Sequence, residues 1–292
     1  MSRRSATVRN RHRILSPLGL SLSKPILLSR RAFASSREHL FFFTRRREGA
    51  KKRRKRGAEA GTVQAGLGRL KGEALGKTAR WLVIASLFFG LSYPLIWNLG
   101  WPEGLITAWK GAGVALLALA AASEARDGDG WLLAAVLGFG ALGDVLLVGS
   151  MTTGAIAFII GHVLAIWLYL RNRRATLAPS QRALALLVVP VSVLIAWSLP
   201  VDRAQAPGIA IYALFVAAMA AAAWSSRFPR YRTGIGAMMF LASDLLIFAR
   251  MGPFEGAIWA GLAIWLLYYV GQVLVYLGVR RTLNSDVAVS AG

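Results

Sequence analysis

The chain has 292 residues, of which 56% are hydrophobic, and its mean hydropathy is +0.51. This composition excludes an ordinary soluble domain and is typical of a polytopic membrane protein. The absence of cysteine excludes disulfides, thiolate catalysis and cysteine-based metal sites. The formal net charge is +22, but residues 1–80 hold 22 of the 35 basic residues and four acidic ones, so most of the charge lies there.

Residues 1–78 form a basic, arginine-rich segment that peaks at Arg45–Arg47 and Lys51–Arg56. Such a charge run predicts a disordered tail. The segment could bind anionic lipid head groups, serve as a targeting peptide, or reflect a start codon assigned too far upstream. We favour a passive tail or an upstream start. Nucleic-acid binding is not predicted, because no folded basic domain accompanies the charge.

Eight hydrophobic stretches follow, each close to the ~20 residues that a membrane-spanning helix needs. They lie at about 80–98, 105–123, 131–149, 153–171, 183–199, 207–224, 234–251 and 257–279. None shows the alternation of a membrane β-strand. The sequence therefore predicts an all-α polytopic membrane protein, with an eight-helix transmembrane domain over residues 79–281 and a short C-terminal tail over 282–292.

The basic residues of the loops indicate an orientation. The N-terminal segment, the loops at 171–182 and 227–232 and the end of the last span all carry arginine, and with eight spans they fall on one side. Loops on the other side are nearly neutral. Because cytoplasmic loops are enriched in Lys and Arg, both termini are predicted to be cytoplasmic, in a bacterial plasma membrane.

Two pairs of short segments look alike. Leu142–Leu147 and Ala242–Ile247 each carry one acid, Asp144 and Asp244, and Gly161–Leu164 resembles Gly271–Leu274. Spans three and four therefore match spans seven and eight, which indicates two four-helix repeats. With four spans each, the halves run in the same direction about a pseudo-twofold axis along the membrane normal. The two aspartates are then predicted to lie at equal depth and to face one another.

An ionised carboxylate inside a bilayer costs at least a few kcal/mol, so such residues are functional candidates by default. Nine polar residues of the spans are candidates for one site, namely the two aspartates and seven residues predicted to lie near them. They are Lys110, Asp144, His162, Tyr212, Ser243, Asp244, Tyr268, Tyr269 and Gln272. Structural interpretations compete with the functional one. Lys110 could snorkel to the interface or pair with an aspartate, the aromatic residues could serve packing alone, and Gln272 could form an interhelical hydrogen bond.

Two carboxyl groups close together in a low dielectric cannot both ionise cheaply, so one is predicted to hold a proton. One protonated and one ionised carboxyl form an acid–base pair. A lipid is the natural substrate for a site inside the bilayer, although a proton-coupled transporter would use the same residues. A metal site from two Asp and one His is not favoured because the ligand spacing is not clustered, and no cofactor is predicted.

At these residues the chain resembles the YhhN-like family of integral membrane proteins, which includes the lysoplasmalogenases. The resemblance runs from about residue 80 to 280. It is carried by six pieces in order: Lys110, Leu142–Leu147, Gly161–His162, Tyr212–Leu214 through Met219–Ala221, Ser243–Leu246 and Tyr268–Gln272.

The resemblance implies an eight-helix membrane hydrolase that cleaves the vinyl ether bond of lysoplasmalogens to a fatty aldehyde and a glycerophospho-base. It implies catalytic roles for Asp144 and Asp244, with the other polar residues named above supporting them or binding the substrate. The expected partners are a lysophospholipid and the bilayer. The alternative is a proton-coupled transporter or a non-catalytic lipid-binding membrane protein.

Overall fold

A computed structural model of the chain describes residues 75–290, together with residues 51, 53–55 and 57, which are helical and belong to a separate compact unit. Most of the predicted basic tail therefore lies outside the described residues. The described residues from Leu75 onward belong to one compact unit. Within it no strand is found, only an isolated antiparallel bridge between Arg173 and Ser226.

Between residues 75 and 290 the structure contains eight helices that are long and apolar enough to cross a membrane, so the prediction of an all-α integral membrane protein is confirmed. Their bounds are α1 Lys77–Ile96, α2 Glu103–Glu124, α3 Gly128–Gly149, α4 Met151–Arg171, α5 Pro179–Ser198, α6 Ala206–Ser225, α7 Ile235–Ala249 and α8 Ile258–Ser290. A 3-10 turn precedes α6. A π-helical turn over Arg230–Gly234 precedes α7, and the two together form the 20-residue span Arg230–Ala249.

The last helix is longer than the sequence predicts. It runs for 33 residues to Ser290, which at 1.5 Å per residue is about 50 Å, well beyond the ~30 Å hydrocarbon core. Residues 282–290 therefore belong to α8 and do not form a separate tail. Leu283 is buried, and Asp286 accepts a 2.6 Å hydrogen bond from Arg227.

Helix packing follows the pattern that two repeats predict. In the first half α1 packs on α2, α2 on α3 and α3 on α4; in the second half α5, α6, α7 and α8 contact one another in the same order. The halves meet where α4 packs on α6 and, equivalently, where α8 packs on α2. Helix α8 also touches α1 and α3, so it contacts three helices of the first half.

A proline inside α1 creates a specific contact between the halves. Pro94 has no backbone N–H, so the carbonyl of Gly90, four residues earlier, lacks its helical partner. The indole N–H of Trp265 on α8 donates a 2.7 Å hydrogen bond to this carbonyl instead. Gly90 also lies so close to the Tyr269 ring that a Cβ there would clash. This glycine therefore permits the close approach of α1 and α8.

The bundle has two ends. We call the end where α1 begins and α8 ends the termini face, and the other end the opposite face. At the termini face Arg280 of α8 forms an ion pair with Glu124 of α2, at 2.7 Å. Glu124 also accepts hydrogen bonds from Tyr276 and from the backbone of Gly76. One carboxylate thus joins the ends of three helices.

Candidate functional site

Asp144 lies on α3 and Asp244 on α7, and each is five residues before the end of its helix. Both carboxyls are therefore about 8 Å along the helix axis from the opposite face. Both side chains point into the bundle, because the residues are only 2% and 4% exposed. The two matching segments thus bring their acids to the same depth.

The Asp144 carboxyl has two partners from different helices. The Lys110 ammonium on α2 lies 3.5 Å from Oδ1 and 3.4 Å from the Asp144 main-chain oxygen. The Tyr268 hydroxyl on α8 donates a 2.7 Å hydrogen bond to Oδ2. The Asp144 carboxyl therefore interacts with one side chain from each half of the protein, Lys110 from the first half and Tyr268 from the second.

The Asp244 carboxyl lies in a different electrostatic environment. The Tyr212 hydroxyl on α6 donates a 2.8 Å hydrogen bond to its Oδ2. The Nε2 atom of His162, on α4, is 3.4 Å from that hydroxyl. None of the ion pairs among the described residues involves Asp244. The two carboxyls therefore differ in charge compensation although their sequence contexts match.

Aromatic rings occupy the space between the two tyrosine–aspartate pairs. The Phe240 ring packs edge-to-face on both Tyr268 and His162, with centroid distances of 5.1 Å in each case. Phe158 stacks on His162 and contacts Phe240. No hydrogen bond joins the two carboxyls in the described structure. They are linked through their tyrosines and these rings.

A narrow cavity lies on the termini side of the aspartates. Its wall comprises Val136, Gly140, Phe158, Gly161, His162, Ala165, Tyr169, Met219, Ala237, Phe240, Gln272 and Val275. Its water-accessible volume is about 20 Å³, enough for about one water molecule. The cavity can hold water next to His162 and Gln272, but a lipid chain would require the surrounding helices to separate.

Seven of the nine predicted polar residues come together in this region: Lys110, Asp144, His162, Tyr212, Asp244, Tyr268 and Gln272. Gln272 packs against Gly140 and interacts with Tyr268. Within the described residues, no three His, Asp or Glu side chains come close enough to bind a metal ion.

The structure separates Ser243 and Tyr269 from the cluster. The Ser243 hydroxyl donates to the main-chain oxygen of Ile264 at 3.0 Å, and the Tyr269 hydroxyl lies 2.8 Å from that of Ser86. Side chains of consecutive residues in a helix point about 100° apart. Ser243 therefore faces a different helix surface from Asp244, and Tyr269 a different one from Tyr268.

Tyr93 on α1 is a site neighbour that the sequence analysis missed. It is half-buried, and Trp265 lies between it and Tyr268, with a Trp265–Tyr268 centroid distance of 5.7 Å. Its ring packs on Trp265 at a centroid distance of 4.5 Å. Its position in the sequence, a tyrosine inside the first span and directly before Pro94, could have marked it as a candidate site residue. Phe158 and Phe240 were missed because an apolar ring in an apolar span carries no distinguishing signal.

The sequence profile of the YhhN family matches residues 105–279. This range includes all seven residues of the polar cluster, and it begins after Tyr93. No curated protein matches the chain, and no solved structure does.

Proposed function

We propose that this chain, which belongs to the YhhN family, is a membrane-embedded lipid hydrolase that cleaves the vinyl ether bond of lysoplasmalogens. The products would be a fatty aldehyde and a glycerophospho-base. One observation carries the proposal. Two buried carboxyls lie at the same depth, each accepts a hydrogen bond from a tyrosine hydroxyl, and among the described residues only one of them is paired with an ammonium group.

The unequal pairing supports an assignment of acid and base. A carboxylate near an ammonium group is stabilised in its charged form, whereas burial without a counter-charge favours the neutral form. Asp144, beside Lys110, is therefore the carboxylate, and Asp244 is the protonated acid. The sequence alone left this assignment open.

The first step follows from this assignment. Asp244 donates its proton to the β-carbon of the vinyl ether, and the electrons of the C=C bond form the new C–H bond. The positive charge that develops is shared between the α-carbon and the ether oxygen. The Asp144 carboxylate stabilises this oxocarbenium-like cation electrostatically.

Water then adds to the α-carbon and gives one proton to Asp144, forming a hemiacetal. The hemiacetal breaks down when its hydroxyl returns a proton to Asp244 while Asp144 protonates the departing glycerol oxygen. The aldehyde and the glycerophospho-base leave, and both carboxyls regain their starting states. The cavity beside His162 and Gln272 is the nearest space for this water. Tyr212 and Tyr268 keep the carboxyls oriented.

The depth of the site fits such a substrate. The vinyl ether bond of a lysoplasmalogen adjoins the glycerol, close to the head group, and the carboxyls lie about 8 Å inside the helix ends of the opposite face. We therefore place the head group at the opposite face. By the positive-inside rule the termini face is cytoplasmic, in a bacterial plasma membrane.

The reaction itself gives a specific test. The purified chain in liposomes is incubated with a 1-alkenyl lysophospholipid in D₂O, and the aldehyde is analysed by mass spectrometry. We expect aldehyde carrying one deuterium on the carbon next to the carbonyl, because that carbon receives the proton. The matched 1-alkyl lipid lacks the double bond and should remain intact. Absence of aldehyde from well-folded protein, or cleavage of acyl lysolipids only, would contradict the proposal and favour transport or an esterase.

A further inference from the structure

Two arginines of the termini face flank one loop, and neither takes part in an ion pair among the described residues. Arg174 follows α4, and Arg230 begins the π-helical turn before α7. The Arg174 Nε donates a 2.9 Å hydrogen bond to the main-chain oxygen of Ser226, and Nη2 donates at 3.3 Å to that of Phe228. The loop after α6 therefore holds the Arg174 guanidinium in one orientation.

Arg230 lies over the indole of Trp224, with its Cζ 6.0 Å from the ring centroid. The Nε atom of Arg230 and the Nε1 atom of Trp224 are both buried, and neither has a hydrogen-bond partner among the residues that the structure describes. Buried donors are nearly always satisfied, so two unsatisfied ones in contacting side chains indicate a missing acceptor.

The charges agree with this interpretation. Partial burial and the neighbouring charge of Arg230 lower the pKa of the Arg174 guanidinium, which means that the two cations repel each other.

The acidic side chains of the described part of the termini face have other partners. Glu124 pairs with Arg280, Asp127 caps the first turn of α3, Asp129 pairs with Arg171, and Asp286 pairs with Arg227. A compensating anion for Arg174 and Arg230 must therefore come from outside these residues.

We propose that Arg174, Arg230 and Trp224 form a binding site for the phosphate of an anionic membrane lipid. The site lies where α6 ends and the segment leading into α7 begins. The end of a membrane span is expected at the membrane–water interface, where lipid phosphates lie. Tryptophan is enriched at this level, and basic residues there attract anionic head groups. The guanidinium groups and the indole N–H supply donors that match phosphate oxygens.

The site is separate from the aspartate cluster and independent of the proposed hydrolysis. Asp144 and Asp244 lie close to the opposite face, whereas Arg174 and Arg230 lie at the termini face. The bound lipid would thus occupy the other leaflet from that of the proposed substrate.

Binding of phosphatidylglycerol to the full chain in neutral detergent, measured by native mass spectrometry, tests the site. We expect Arg230→Gln to weaken binding by about tenfold or more. Arg230→Lys keeps the charge but lacks Nε, and Trp224→Phe keeps an aromatic ring but lacks Nε1. Both should also weaken binding. Arg182→Gln, an exposed arginine of the same face, is the matched control and should retain it.

Melting temperatures in neutral lipid alone show whether each variant is folded. Equal binding by the wild type, Arg230→Lys and Trp224→Phe would overturn the site and leave only a general surface charge effect. Equal retention of phosphatidylcholine by the wild type would contradict selection for an anionic lipid. If inorganic phosphate alone raises the melting temperature as much as the lipid does, the ligand is free phosphate and the lipid assignment is wrong.

Discussion

The Lys110 ammonium lies 3.5 Å from Asp144 Oδ1, and both side chains are largely buried, with exposed fractions of 14% and 3%. The carboxyls of Asp144 and Asp244 have similar depth and burial, and each accepts a hydrogen bond from a tyrosine. This ion pair is the difference between them. Asp244 has no such partner among the described residues. The assignment of Asp144 as the carboxylate and Asp244 as the acid rests on this difference.

Replacing Lys110 should therefore affect Asp144 first. Lys110→Met leaves a buried carboxylate without its counter-charge, and we expect a loss of about 3–5 kcal/mol in the free energy of unfolding. Adding Asp144→Asn removes the uncompensated charge. The double variant should regain most of this stability but remain inactive in aldehyde release. Unfolding in detergent, followed by fluorescence, measures the first effect.

Lys110→Arg is the matched control, because it keeps a positive charge beside Asp144. It should be more stable than Lys110→Met. If Lys110→Met is as stable and as active as the wild type, the lysine only snorkels to the interface and does not set the charge of Asp144.

The adjacent tyrosines of α8 provide a second test. Tyr268 bonds the Asp144 carboxyl, whereas Tyr269 bonds Ser86. A hydrogen bond to a charged group contributes about 1.5–3 kcal/mol, so Tyr268→Phe should lower aldehyde release by about 10- to 100-fold. Tyr269→Phe should lower the melting temperature but leave the rate of aldehyde release unchanged. Equal rates for the two variants would contradict the separate placement of these side chains.

The contact between Trp265 and the Gly90 carbonyl predicts a coupling between two substitutions. Trp265→Phe leaves that carbonyl without a donor, and we expect a cost of about 1–3 kcal/mol. Pro94→Ala restores a backbone N–H that can bond Gly90 within α1. The cost of Trp265→Phe should therefore be smaller in a Pro94→Ala background. A double-mutant cycle on unfolding free energies measures this coupling; strict additivity would contradict it.

Some elements of this structure can be predicted from the sequence and others cannot. The eight spans follow from hydropathy because a bilayer imposes both length and composition on its helices. The end of α8 cannot be predicted from hydropathy, because the residues after Val279 are no longer predominantly apolar. There it is stabilised by the Arg280–Glu124 and Asp286–Arg227 pairs, whose partners lie far away in sequence.

The candidate site shows a similar division. The repeated segments predict that Asp144 and Asp244 lie at one depth, since the same position in equivalent helices gives the same depth. Which tyrosine contacts which carboxyl depends on the rotation of each helix about its axis. That rotation is set by close contacts such as that of Gly236 with Gly271, where an added Cβ would lie 2.6 Å from a carbonyl oxygen. A single sequence does not show such pairings.

The rate of aldehyde release shows whether the Asp244 carboxyl supplies the proton for lipid hydrolysis. Asp244→Asn and Asp144→Asn are compared with the wild type in liposomes. Ser243→Ala is the matched control, a buried neighbour of Asp244 whose hydroxyl bonds α8. We predict that Asp244→Asn loses about 10²- to 10⁴-fold in rate, that Asp144→Asn is also impaired, and that Ser243→Ala retains the wild-type rate. An Asp244→Asn variant that releases aldehyde at the wild-type rate would contradict the account.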